Sequence, residues 1–162
     1  MKKYISIFLT ALTVICCFTS YTALANDETD DNIIISEEEF NALEHIDATY
    51  IEARTTGLIT DKKLGIAKSG NNLIISGYTK CLSSVEKCGF KTVTIQRKKS
   101  SETSWSTYKT YSSLYADSNT YTLGKSVTVP SGYQYRVTAT HYAKKSLLST
   151  QSIDATTGSL SF

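Results

Sequence analysis

Between residues 130 and 144 the chain reads P-S-G-Y-Q-Y-R-V-T-A-T-H-Y-A-K, and its side chains alternate in character. Tyr133, Tyr135, Val137, Ala139, His141 and Ala143 share one parity. Gln134, Arg136, Thr138, Thr140 and Lys144 share the other, with Tyr142 the one exception. A period of two predicts a half-buried β-strand, one face on a core and one in water. The same signal recurs from Leu58 onward. Residues 64–67 and 73–76 flank 68–72, K-S-G-N-N, whose composition is that of a hairpin loop. Residues 90–97 set Val93 and Ile95 on one face, and the polar run 98–103 leads into 105–111. Tyr121, Leu123, Val127 and Val129 then alternate toward the Pro130 turn, where this strand is expected to pair with the one beyond it. Residues 151–155 and the terminal Leu160-Ser161-Phe162 complete the series.

Too few segments are long enough for crossover helices, so the predicted class is all-β and antiparallel. An immunoglobulin or fibronectin III-like β-sandwich of about seven strands is the economical architecture. A barrel is the runner-up. Tyr133 or Tyr135, just after a turn, stands where such sandwiches carry a tyrosine corner, and Trp105 is the obvious large core residue.

Residues 26–54 follow a different pattern. Ser36-Glu37-Glu38-Glu39 is a capping box, and Phe40, Leu43 and Ile46 recur on one helical face, which predicts a short acidic helix over 37–48. This segment holds ten carboxylates against Arg54, about −9, while residues 55–162 hold five acids against fourteen Lys and Arg, about +9. The near-neutral total conceals a polarised molecule. An acidic leader over 26–54 and a β-domain over 55–162 are the expected organisation.

The first residues change where the protein is expected to work. Lys2-Lys3, an apolar run over 4–17 and Ala23-Leu24-Ala25 form a secretory signal peptide over 1–25. The run is short for a membrane anchor. Ile15 and Cys16 are poor neighbours for acylation of Cys16 or Cys17. Cleavage leaves 137 residues, one domain, secreted or associated with the cell wall, with no membrane contact afterwards. Cys81 and Cys88 survive as an even pair in an exported chain and are expected to form a disulfide, stabilising by about 2–3 kcal/mol.

Catalytic chemistry finds little support. A Ser149, His141, Asp154 trio lacks any elbow motif around the serine. His45 and His141 lack ligand partners at helical spacing, and phosphate-loop and dinucleotide patterns are missing. No enzyme, cofactor, metal or nucleic-acid partner is expected. Two features suggest contact with a ligand. Arg97-Lys98-Lys99, Lys144-Lys145 and Lys62-Lys63 occupy predicted loop tips or their approaches, a positive rim for anionic wall polymer or acidic glycan if they share one end. Lysines there also serve solubility and block edge pairing. Tyr108, Tyr111, Tyr115 and Tyr142 exceed what one face needs, which suits glycan or protein contact, although cross-strand packing uses tyrosine too.

The runs I-S-G-Y-T (75–79), V-T-I-Q (93–96), S-W-S-T-Y-K-T-Y (104–111) and V-P-S-G-Y-Q-Y-R-V-T-A-T-H-Y-A (129–143) resemble a family of small exported proteins of Gram-positive gut bacteria, filed as a domain of unknown function. The resemblance spans about residues 55–160. It implies a secreted all-β domain and carries no activity or site residues. The expected function is a non-catalytic secreted binding module. The alternative is self-association or self-masking, with the acidic helix covering the basic domain.

Overall fold

The computed structural model describes residues 31–51 and 57–162. The segment expected to be a signal peptide, 1–25, and the start of the expected leader lie outside the described residues. The elements are α1 (Glu37–Asn41), β1 (Glu44–Ile51), β2 (Ile59–Ser69), β3 (Asn72–Cys81), β4 (Lys87–Lys98), β5 (Ser106–Ala116), β6 (Thr120–Thr128), β7 (Gln134–Ser146), β8 (Ser149–Thr157) and β9 (Leu160–Ser161). All pairings are antiparallel and follow one path, β5-β4-β7-β8-β1-β2-β3-β6, with β9 on β7.

The all-β antiparallel expectation holds, and the sheet is nearly closed into a barrel. Two separate immunoglobulin-like layers are not what the hydrogen bonds trace, because β1 belongs to both halves. Its residues 44–47 pair with β2, and its residues 48–51 pair with β8. The helix predicted over 37–48 ends at Asn41, since the chain from Glu44 gains ladder partners on two sides. Five helical residues cannot persist on local energetics. They are held by the capping box of Ser36 and Glu39 and by Phe40, which is buried against Ala67 and Ile74 on the outside of β2 and β3.

The predicted hairpin at 68–72 is the β2–β3 connection. Of Tyr133 and Tyr135, it is Tyr135 whose hydroxyl bonds back to the backbone, donating to the Pro130 carbonyl at 2.9 Å. From Gln134 to Ala143 every second residue of β7 is buried, as the alternation predicts. Two expectations fail. The chain does not double back at Pro130, because β6 pairs with β3 while β7 pairs with β4 and β8. Trp105 is not in the core. It lies outside, with Arg136 Cζ 4.4 Å and Lys98 Nζ 5.1 Å from its ring. The interior is filled instead by Phe90, Tyr135 and aliphatic side chains of β2, β3, β4 and β7.

The barrel stays unclosed between its end strands, β5 and β6. Residues 31–33 lie along this seam, with Ser126 N–H donating to the Asp31 carbonyl at 2.8 Å and Ile33 N–H to the Gly124 carbonyl at 3.1 Å. Gly124 is required there, since a Cβ would stand 2.2 Å from the Ile33 carbonyl oxygen. The Asp31 carboxylate accepts from Lys109 and Tyr111 of β5, so this strap ties the two edges together. Burial pushes the Asp31 carboxyl up, but those two hydrogen bonds and the charges of Lys109 and Lys125 outweigh it and hold it below the usual range. Burial and the bond to Asp31 push the Tyr111 phenol up.

Candidate functional site

Antiparallel connectivity sorts the loops to two ends. The β2–β3, β4–β5 and β6–β7 connections lie at one, and the β3–β4, β5–β6 and β7–β8 connections at the other. Arg97-Lys98-Lys99 therefore sits at the opposite end from Lys144-Lys145, and Lys62-Lys63 lies within β2. The single basic rim expected if these tips converge does not form.

The tyrosines also divide. Tyr111 pairs with the buried Val93 and points to the seam. Tyr108 packs edge-on against Tyr135, centroids 5.7 Å apart, with the Arg97 guanidinium 4.9 Å from its ring. Tyr133 takes Arg97 at 4.7 Å and Lys99 at 5.8 Å, so these residues make one aromatic–cation cluster at the barrel mouth. Tyr142 has the outward parity and lies 5.5 Å from Tyr115.

Register builds the face that the linear sequence does not display. Directly paired residues share a face. Thr110, Thr94, Thr138, Thr156 and Thr49 are successive partners across β5, β4, β7, β8 and β1. Beside them run Ser112, Thr92, Thr140, Asp154 and Ile51. Their neighbours along the strands, Val93, Ala139 and Ala155, are buried, so both rows face outward. Hydroxyls meet across the strands: Thr94 to Thr110 at 3.3 Å, Thr92 to Thr140 at 3.5 Å, and Thr140 donating to Asp154 at 2.7 Å. These contacts fix rotamers and leave hydroxyl oxygens and methyls toward solvent over a recess of about 340 Å³.

An aromatic–cation cluster bounds the rows at each end of this face. One holds Trp105, Lys98 and Arg136, with the Arg136 guanidinium fixed by Gln96 at 2.8 Å. The other holds Tyr115 and Tyr142 with Lys87, whose ammonium is 5.7 Å from the Tyr115 ring and 2.6 Å from Asp117. Tyr142 and Arg136 are six residues apart on β7, a span of roughly 20 Å at the usual strand rise. Trp105, Arg136, Lys87 and the threonines are absent from the residues expected from sequence. Their signal was the outward parity of T-V-T at 92–94, T-A-T at 138–140 and D-A-T at 154–156.

The imagined Ser149, His141, Asp154 trio is not assembled. His141 is wholly buried while Asp154 is on the outer face. Thr79 gives its single hydroxyl proton to the Gly89 carbonyl at 3.0 Å, so the His141 contact at 2.7 Å is assigned as Nδ1–H donating to Thr79. Nε2 is then a bare acceptor with no partner among the described residues, and the ring packs near Phe90, centroids 4.4 Å apart. Burial, and secondarily the Lys62 charge, pulls the imidazole down to about 4. Among the described residues no three His, Cys, Asp or Glu side chains cluster as a metal site. Cys81 and Cys88 lie at disulfide distance, with Cα atoms 6.4 Å apart.

No protein-family model matches the chain, and neither a curated protein nor a solved structure matches it.

Proposed function

We propose that this is a secreted, non-catalytic recognition module that holds an extended anionic polymer, a wall polymer or acidic glycan, along the outer face of β5, β4, β7 and β8. One observation carries the reading: two hydroxyl rows framed by aromatic–cation clusters on a single face. A ligand touching both clusters must bridge roughly 20 Å, which favours a chain over a small molecule. The threonine rows offer hydrogen bonds along that length, and Lys98, Arg136 and Lys87 of the flanking clusters supply the positive charge. The mode of use is that of immunoglobulin-like and fibronectin III-like domains, a stiff sheet that presents a surface. Secretion and the resemblance to exported Gram-positive proteins belong to this proposal. Retention on purified cell wall at rising ionic strength tests it. Trp105→Ala with Tyr142→Ala should weaken retention at least tenfold, and loss by about 0.2 M salt marks a charge-led contact. Unchanged retention of the double variant would remove this face as the site.

A second reading, self-masking, is favoured by the cis docking of the acidic segment: Phe40 is buried, Glu37 pairs with Lys63 at 2.6 Å, and Asp31 holds Lys109. Asp31→Asn with Glu37→Gln should raise retention on anionic polymer if that segment competes for the basic surface. Unchanged retention rejects the reading.

A further inference from the structure

The β7–β8 hairpin ends in a two-residue turn, Leu147-Leu148, and these side chains are 88% and 100% exposed. Scattered surface leucines are ordinary, but two adjacent ones bared at a hairpin tip are not. Lys144 and Lys145 precede them, and among the described residues neither has a carboxylate partner within ion-pair distance. The neighbouring β3–β4 loop carries Leu82, 43% exposed. That loop is tied to the hairpin base, with Glu86 N–H donating to the Lys144 carbonyl at 2.8 Å, and the Cys81–Cys88 pair spans its root. The tip therefore projects from a braced platform.

We infer that this end of the barrel is a peripheral membrane contact: Leu147 and Leu148 enter an anionic bilayer while Lys144 and Lys145 lie at the headgroups. The layering identifies the occupant. At the usual strand rise the lysines stand about 7–10 Å behind the tip. An interfacial apolar face sinks roughly 5–10 Å, which brings the ammonium groups to the depth of lipid phosphates. Each cation near an anionic surface adds to attachment. A convex tip of two leucines with cations behind them matches a fluid interface, whereas a protein groove would need an exposed apolar stripe to line it. This contact uses neither the threonine rows nor their flanking clusters, so it stands or falls separately from the polymer-binding reading. It also departs from the expectation that the cleaved chain leaves membranes alone.

Co-sedimentation of the purified protein with large unilamellar vesicles provides the test. Vesicles with one third phosphatidylglycerol should retain it, and phosphatidylcholine alone should retain it at least tenfold less. Leu147→Ser with Leu148→Ser should lower retention at least tenfold, and Lys144→Gln with Lys145→Gln should lower it at least fivefold at low salt. Near-UV circular dichroism verifies that these exposed substitutions leave the fold intact. Leu148→Trp should show a blue-shifted emission that brominated lipid quenches. No retention on anionic vesicles, or equal retention of the Leu147→Ser, Leu148→Ser variant, overturns the inference. Equal binding to neutral vesicles overturns the role of the lysines.

Discussion

Acidification from pH 7.5 to 5.0 should weaken this fold through one side chain, His141. Its imidazole is fully buried, its Nδ1–H is committed to Thr79, and a second proton on Nε2 would find no acceptor among the described residues. Burial pulls its pKa from an ordinary 6.5 to about 4. Above pH 6.5 the ring is neutral in both states, and the stabilisation is fully present. Below that value the unfolded chain binds a proton that the folded chain refuses, so stability falls until the folded group also titrates near pH 4. Linkage over these two values gives a loss of roughly 2 kcal/mol between pH 7.5 and 5.0, and roughly 3 kcal/mol by pH 4. The carboxyls of Asp31, Glu37, Glu39 and Asp61 are all held low, so their stabilisation persists above the ordinary carboxyl range and is lost only at more acid pH. Urea unfolding at pH 7.5, 6.0 and 5.0 reads the slope. His141→Leu should be less stable at neutral pH, having lost the Thr79 bond, yet nearly flat across this window. An equal slope in both proteins would refute the assignment to His141.

Three further outcomes follow from the packing. Asp31→Asn should lower stability by about 1–3 kcal/mol, because Lys109 and Tyr111 lose a part-buried carboxylate; hydrogen exchange should quicken at the Ser126 and Ile33 amides, which pair across the seam. Gly89→Ala should cost roughly 3 kcal/mol or more. Gly89 has φ near +151°, and a Cβ would stand 2.3 Å from the Leu114 carbonyl oxygen, so thermal unfolding should show a large drop. Tyr135→Phe, which removes the bond to Pro130 and the contact of the same hydroxyl with Arg97, should cost about 1 kcal/mol in urea unfolding.

Periodicity made the strands legible wherever one side of the chain met the interior, as in β7, and the K-S-G-N-N run gave away its hairpin. It misled over 37–48, where Phe40, Leu43 and Ile46 fit a helical stripe. Phe40 is on α1, but Ile46 lies on β1 opposite Ile66, and pairing on both sides of β1 overrides the local preference. Proximity in sequence pairs the strands around Pro130, but the chain there crosses to the other side of the core instead, β6 onto β3 and β7 onto β4. Size alone places Trp105 in the core, yet cations lie over its ring outside. The threonine rows were the least visible feature. Each strand contributes at most one hydroxyl per row, and Thr49 meets Thr156 through a register no local pattern encodes.

The division of β1 between two partners has a consequence for inheritance and engineering. A stave that closes two neighbouring ladders cannot be trimmed away with the acidic leader, because its loss would bare the facing flanks of β2 and β8 together. Bared flanks of that kind recruit foreign chains. The segment that looks like a dispensable tail and the cylinder behind it should thus travel through evolution, and through any cloning scheme, as one indivisible piece.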